Sequence, residues 1–227
     1  MSEVELYSVQ ACPFAQRTRM VLAEKAIEFE MHEIDLSNRP ANWTDISPTG
    51  KVPVLRHKGE TLYESAIINQ YLDETFPAHP LMPATPAGRA RARIWMDFCD
   101  SKFLPAMNAL MWKSGDEKAR AANSAKATAV IHEIEQRGLA DNGEGPYWFG
   151  AEASLVDFQF LPFFERLPVY EELGEFARPT DTPRLNAWLA AMSARESVSP
   201  AMRPVKLHLA KQLELNARIA ARRASAA

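Results

Sequence analysis

Val4-Glu5-Leu6-Tyr7, followed after a short gap by Ala11-Cys12-Pro13-Phe14-Ala15, is the stretch on which the fold turns. The first run alternates as a strand does. After the gap, Pro13 suits the first position of a helix, where its fixed φ helps and its missing N–H has no intrahelical partner to lose. Phe14, Thr18, Val21 and Leu22 then recur at helical spacing as core-compatible positions. The segment reads as strand, loop and helix, with Cys12 at the N-cap. Unpaired N–H groups and the positive end of the helix dipole favour an anionic sulfur there. Helix N-termini lower a thiol from about 8.5 to roughly 3.5–7.5, so a nucleophilic thiolate is expected. Cys12-Pro13-Phe14-Ala15 contains no second cysteine. The site is a monothiol, and an external thiol must resolve whatever Cys12 captures.

Working outward, Phe29, Met31 and Ile34 fit a second strand and complete a βαβ unit. A loop with Pro40 and Pro48 follows. Val54-Leu55-Arg56 and Thr61-Leu62-Tyr63 flank Lys58-Gly59 as the arms of a hairpin. Ile67, Ile68, Tyr71 and Leu72 return to helical spacing and stop before Pro77. The order βαβ, loop, ββα is that of a thioredoxin-like domain, placed at residues 1–78. Pro77, Pro80, Pro83 and Pro86 stiffen an extended connection and oppose a regular helix, so 79–88 reads as a linker. Residues 89–227 carry helical apolar faces, such as Trp95, Phe98, Leu104 and Met107, then Leu185, Trp188, Leu189 and Met192. The expected fold is α/β plus all-α: a thioredoxin-like domain followed by a helical bundle. The Ala/Arg-rich end, Ala217 to Ala227, reads as a frayed helix.

Composition excludes several classes. The 227 residues are 47% hydrophobic and 24% charged, ordinary for a soluble globular protein. A net charge of -3 gives no general drive toward phosphate backbones or anionic lipid, so neither nucleic acid nor membrane is an expected partner. Arg89, Arg91 and Arg93 form a basic cluster, but they open a helix whose apolar face is Ile94, Trp95 and Phe98, and they read as its solvated side. Two distant cysteines and five scattered histidines form no ligand cluster, so no metal is expected. No leader-like or membrane-spanning run stands out, and a reducing cytoplasm is the expected location.

Three further motifs surround this frame. Pro53 lacks a ladder donor and belongs at a strand's start; in a thioredoxin-like frame Val52-Pro53 is expected cis, leaving Val52 backbone groups to pair an extended peptide ligand. By itself it is a proline that ends a loop. Glu64-Ser65 stands where a strand gives way to a helix, and together they suit the ammonium and carboxylate of a γ-glutamyl unit. Alone, Ser65 is a helix cap. Ser154-Leu155-Val156-Asp157 resembles a capping box with Asp in place of Glu or Gln, a folding device rather than acid–base machinery. Cys99 shares an apolar helix with Trp95 and Phe98 and reads as core.

Cys12-Pro13-Phe14-Ala15 with Arg17-Thr18, Asn38-Arg39-Pro40, Lys51-Val52-Pro53-Val54-Leu55, Tyr63-Glu64-Ser65 and Ser154-x-x-Asp157 resembles a cytosolic glutathione transferase of the omega, cysteine-using class. The resemblance covers both domains. It implies a mixed disulfide between Cys12 and glutathione, with thioltransferase, dehydroascorbate reductase or reductive deglutathionylation activity. Classes that use Tyr or Ser instead stabilise the glutathione thiolate. It implies glutathione contacts at Phe14, Arg39, Val52, Pro53, Glu64 and Ser65, with Val52 on the cysteinyl backbone, Glu64 and Ser65 on the γ-glutamyl end and Arg39 toward the glycyl carboxylate. It implies an acceptor pocket between the domains, for which Phe103, Met107, Met111, Trp112 and Tyr170 are the candidates. Glutathione enters as co-substrate, with no tightly bound cofactor, a small hydrophobic or glutathionylated acceptor and a homodimer. Two alternatives stand beside this: a glutathione lyase for aromatic ketone thioethers, and a non-enzymatic regulatory protein that keeps the fold for binding.

Overall fold

The computed structural model describes residues 3–111, 116–140 and 145–224. Strand β1 (Val4–Ser8) leads into helix α1 (Pro13–Glu24), then β2 (Glu30–Glu33), a single turn α2 (Trp43–Ile46), β3 (Val54–His57), β4 (Glu60–Tyr63) and α3 (Ser65–Thr75). The sheet order is β2-β1-β3-β4, with β1 parallel to β2 and antiparallel to β3, and β3 antiparallel to β4. This is the thioredoxin-like arrangement. The hairpin closes through Lys58 and Gly59, both with positive φ, as the tight turn of a twisted hairpin requires. β2 lies at the sheet edge and is largely exposed, Met31 being 47% accessible, so its alternation carries little core signal.

The connection to the second domain is pinned rather than loose. Buried Lys25 donates to Asp73 at 2.8 Å and to the Ala78 and His79 carbonyls at 3.0 Å. Asp73 in turn accepts the Leu81 and Met82 N–H groups. A helix also starts inside the expected linker. α4 (Pro86–Phe98) uses Pro86 in its first turn, where proline is tolerated, and the Thr85 side chain caps it by accepting from Gly88 N–H. Through one π-helical turn, Cys99–Phe103, α4 runs into α5 (Leu104–Met111). α6 (Glu117–Glu133), α7 (Leu155–Phe164), α8 (Leu167–Gly174), α9 (Pro183–Ser193) and α10 (Val205–Ala224) complete the helical domain. The terminal segment is thus helical through Ala224.

α7 is buried along its whole length and is the axis of the molecule, packing against α1 of the first domain as well as α4 and α9. The capping box expected at its start is present in full. Asp157 accepts from Ser154 N–H and Oγ, both at 2.7 Å, and additionally from Trp148 N–H and Trp188 Nε1. Trp148 stacks on Phe160 with centroids 4.6 Å apart, so this carboxylate organises the aromatic centre of the core. One expected apolar face is turned differently. Trp95 and Phe98 pack inward, whereas Ile94 is 65% exposed.

Candidate active site

Cys12 is the N-cap of α1 and is half-buried, with Pro13 in the first turn. No first-turn N–H bonds to its sulfur; the nearest polar partner is the Val52 carbonyl oxygen at 3.9 Å. The helix therefore acts on Cys12 through the field of its terminus and not through a capping hydrogen bond. Val52-Pro53 is cis, as expected.

Val52 also lines a cavity of about 180 Å³, bounded besides by Phe14, Thr49, Lys51, Pro53, Glu64 and Ser65, and Cys12 itself is not on its wall. Five of the six residues expected to contact glutathione thus share one wall. Phe14, first read as a core position as well, is 39% exposed and borders this cavity. Arg39 stands outside the lining. Its Nε donates to Leu36 O at 3.3 Å, and its guanidinium lies against Gly50. Lys51 and Thr49 occupy the wall instead, and sequence reasoning had used Lys51 only as part of a motif.

Glu64 takes φ 68°, a left-handed conformation unusual for a side-chain-bearing residue, and this turns the chain from β4 into α3. Ser65 opens α3, so first-turn N–H groups without intrahelical partners face the same region. Arg17 supports the subsite from behind. It is fully buried, yet its charge is satisfied. Nη2 reaches Asp100 at 2.7 Å, Nε reaches Gln159 O at 2.9 Å and Nη1 reaches Ser65 Oγ at 3.3 Å. The guanidinium also lies over the Phe14 and Phe163 rings, at 5.0 and 4.7 Å. By donating to Ser65 Oγ, Arg17 leaves the hydroxyl proton available to a carboxylate.

Cys12 itself lines a larger cavity of about 350 Å³ between the domains. Phe14 lines both cavities and Phe163 this one; Leu104 and Asn108 of α5 and Val169 and Tyr170 of α8 form its floor. Of the acceptor candidates, Tyr170 is on this wall. Phe103 and Met107 are fully buried core residues, Met111 packs against the core, and Trp112 lies outside the described residues. The α5 positions that face the cavity are Leu104 and Asn108, one residue round from the expected stripe. The outer wall is α10, through Lys211, Gln212 and Leu215, a contribution the sequence reading did not foresee. Burial pushes the Tyr170 hydroxyl up to about 12, against the pull of Arg166, so it remains a neutral donor. Cys99 is wholly buried beside Arg17, and burial pushes its thiol up to about 12, which keeps it inert. Among the described residues no group of His, Cys, Asp and Glu could hold a metal ion, and no helix is long and apolar enough to cross a membrane.

Fold and site together define a two-domain thiol protein. A thioredoxin-like half holds one cavity, a helical half completes a second and larger one, and the cysteine on the wall of the second lies 3.9 Å from the carbonyl of Val52 on the first. The sequence pattern "Glutathione S-transferase, N-terminal domain" matches residues 11–75, and "Glutathione S-transferase, C-terminal domain" matches 117–191. The chain belongs to the glutathione S-transferase family. Glutathione S-transferase U19 of Arabidopsis thaliana is 33% identical over 203 residues, covering 88% of this chain and 90% of that protein. Glutathione S-transferase omega-1 of Sus scrofa is also 33% identical, over 202 residues, covering 86% and 79%. Among solved structures, the Tau class enzyme of mango, Mangifera indica, superposes with a TM-score of 0.87 at 25% identity, covering 93% of this chain and 98% of that one. A Tau class structure and an omega-named relative both match over most of the chain, so the comparisons do not single out the omega class. Glutathione is the family's co-substrate.

Proposed function

We propose that the chain is a cysteine-type glutathione transferase that catalyses glutathione-dependent thiol transfer, with omega-like chemistry. The observation that carries this reading is the position of Cys12, at the N-cap of α1, on the wall of the larger cavity and 3.9 Å from the carbonyl of Val52, which lines the smaller one. In the smaller cavity, Glu64 and Ser65 hold the γ-glutamyl end, the Val52 backbone pairs the cysteinyl unit and Lys51 meets the glycyl carboxylate. Glutathione's sulfur then lies toward Cys12.

The Cys12 thiolate attacks the glutathione sulfur of a mixed disulfide, forming a Cys12–glutathione disulfide and expelling the acceptor as a thiolate, which takes a proton from solvent. A second glutathione thiolate attacks that disulfide, regenerates Cys12 and leaves as glutathione disulfide. The exchange balances: the acceptor–glutathione disulfide is broken and a glutathione disulfide is formed, so the acceptor sulfur is reduced to a thiol at the expense of the incoming glutathione thiol, and no other oxidant or reductant is needed. Tyr170, neutral in the larger cavity, donates a hydrogen bond to the departing acceptor. A lyase acting on aromatic ketone thioethers would share the first attack and differ in the group expelled.

Helices α3 and α4 suit a second copy of the chain. Arg93 of α4 donates to Gln70 of α3; one turn from Gln70 stands Ile67, 56% exposed, and next to Arg93 stands Ile94. Sedimentation of the wild type against Ile67→Lys tests that homodimer, with a monomeric wild type counting against it.

Mass spectrometry of the intact protein after exposure to oxidised glutathione tests the covalent step. One glutathionyl adduct on Cys12 is expected. An unmodified Cys12, or a Cys12→Ala variant that still reduces a glutathione mixed disulfide, sinks the mechanism.

A further inference from the structure

Among the described side chains of α10, His208 is the one that is buried; the others are exposed or half-buried. A long helix with one buried side chain gains little from apolar packing, so its position depends on what holds that residue. His208 Nε2 lies 3.0 Å from Glu165 Oε1. Glu165 is itself buried at the end of α7, and the same oxygen accepts Arg203 N–H at 2.6 Å in the segment entering α10. Its other oxygen accepts Gln16 Nε2 at 2.5 Å. Gln16 sits in the first turn of α1, its N–H bonded to the Cys12 carbonyl at 3.0 Å. One carboxylate therefore fastens α10 to the turn that carries Cys12.

The face of α10 fixed in this way is the one that walls the acceptor cavity. His208, Lys211, Gln212 and Leu215 follow the spacing i, i+3, i+4, i+7 and share one side of the helix. We infer that His208 is a specificity-determining positioning residue. Its bond to Glu165 sets the distance of the α10 wall from Cys12, and with it the grip on acceptors large enough to reach Lys211, Gln212 and Leu215. An acceptor confined to the neighbourhood of Cys12 makes no use of that wall. Removing His208 leaves Glu165 with the Gln16 and Arg203 donors, so the carboxylate is not orphaned and the core below it stays intact. The inference rests on the proposed reading of the larger cavity as the acceptor site.

The test compares wild type, His208→Ala and His208→Gln, the last because its amide nitrogen can reach the place of Nε2. Calorimetry measures S-methylglutathione, whose methyl group stays beside Cys12, and S-(naphthylmethyl)glutathione, whose rings extend into the larger cavity. Hydrogen exchange follows residues 205–221. In His208→Ala the ratio of the aromatic to the methyl dissociation constant rises about tenfold and α10 exchanges faster by a similar factor, as expected for one lost hydrogen bond to a charged group. His208→Gln restores most of both. An unchanged ratio overturns the inference, whether or not exchange accelerates, and so does a rise that the Gln variant leaves in full. Because both probes are read at equilibrium, a wild type that binds them yet reduces no mixed disulfide defeats the thiol-transfer reading alone.

Discussion

The sulfur of Cys12 stands 3.9 Å from the carbonyl oxygen of Val52, across the gap between the first turn of α1 and the residue that precedes Pro53. In the proposed binding mode a peptide pairing with the Val52 backbone presents its own sulfur to this thiol, which is half-buried rather than enclosed. Cys99 is its opposite, wholly buried with its thiol pushed up to about 12 by burial. Iodoacetamide at neutral pH is therefore expected to modify Cys12 alone in the folded protein, and Cys99 only after unfolding. S-Methylglutathione should slow the Cys12 reaction. Peptide mapping checks this, and equal labelling of the two cysteines would contradict the assigned environments.

Lys51 borders the smaller cavity, proposed for glutathione, and Arg39 does not, although Arg39 is the basic residue that the family resemblance implies. Lys51→Met is expected to weaken glutathione binding about fivefold, the size of an exposed charge contact, with the loss shrinking as salt rises. Arg39→Ala should cost less. Isothermal titration of both variants at two ionic strengths decides the order, and a larger loss at Arg39 would return the carboxylate to it.

The grouping of residues around the smaller cavity was legible because its signals are local. A proline after Cys12, a proline after Val52 and a serine opening α3 each report on a single turn of chain. The acceptor side was not, because helical periodicity gives an apolar stripe without saying what the stripe faces. At the end of the π-helical turn and along α5, Phe103 and Met107 border the core while Leu104 and Asn108, one position along each, border the cavity. α10 was hidden for a different reason. Its composition is mostly polar and alanine-rich, so it reads as a loosely held end, and its role follows only from the tertiary contact between His208 and Glu165.

Asp157 was read as a structural residue, and its four donors show how much depends on it. Truncation orphans the Trp188 indole N–H and the start of α7 together. Asp157→Ala is expected to cost about 2–4 kcal/mol in denaturant unfolding, from unpaired buried polar groups. Burial pushes the carboxyl up even against these donors, so a neutral side chain is not foreign to the position, and Asp157→Asn should lose less than Asp157→Ala. Equal losses in the two variants would assign the effect to packing alone.

Glu24, at the end of α1, accepts from Arg195 and Ser197 beyond α9 and so ties the two domains together. Burial works against its charge, but the Arg195 and Ser197 hydrogen bonds outweigh it and hold the carboxyl below its ordinary value of 4.5. A depressed folded-state value means that the unfolded chain binds the proton more readily. The stabilisation is therefore fully present above 4.5 and is lost as pH falls below it toward the folded-state value. Glu24→Gln removes this contribution at every pH. Its melting temperature should lie below that of the wild type at pH 7, and the gap should close as both are titrated below pH 4.5. Asp157, shifted upward, carries the opposite pH dependence, but it is common to both proteins and cancels in the difference. A gap that stays constant from pH 7 to 3 would mean that Glu24 acts through shape or hydrogen bonding that survives protonation, and not through its charge.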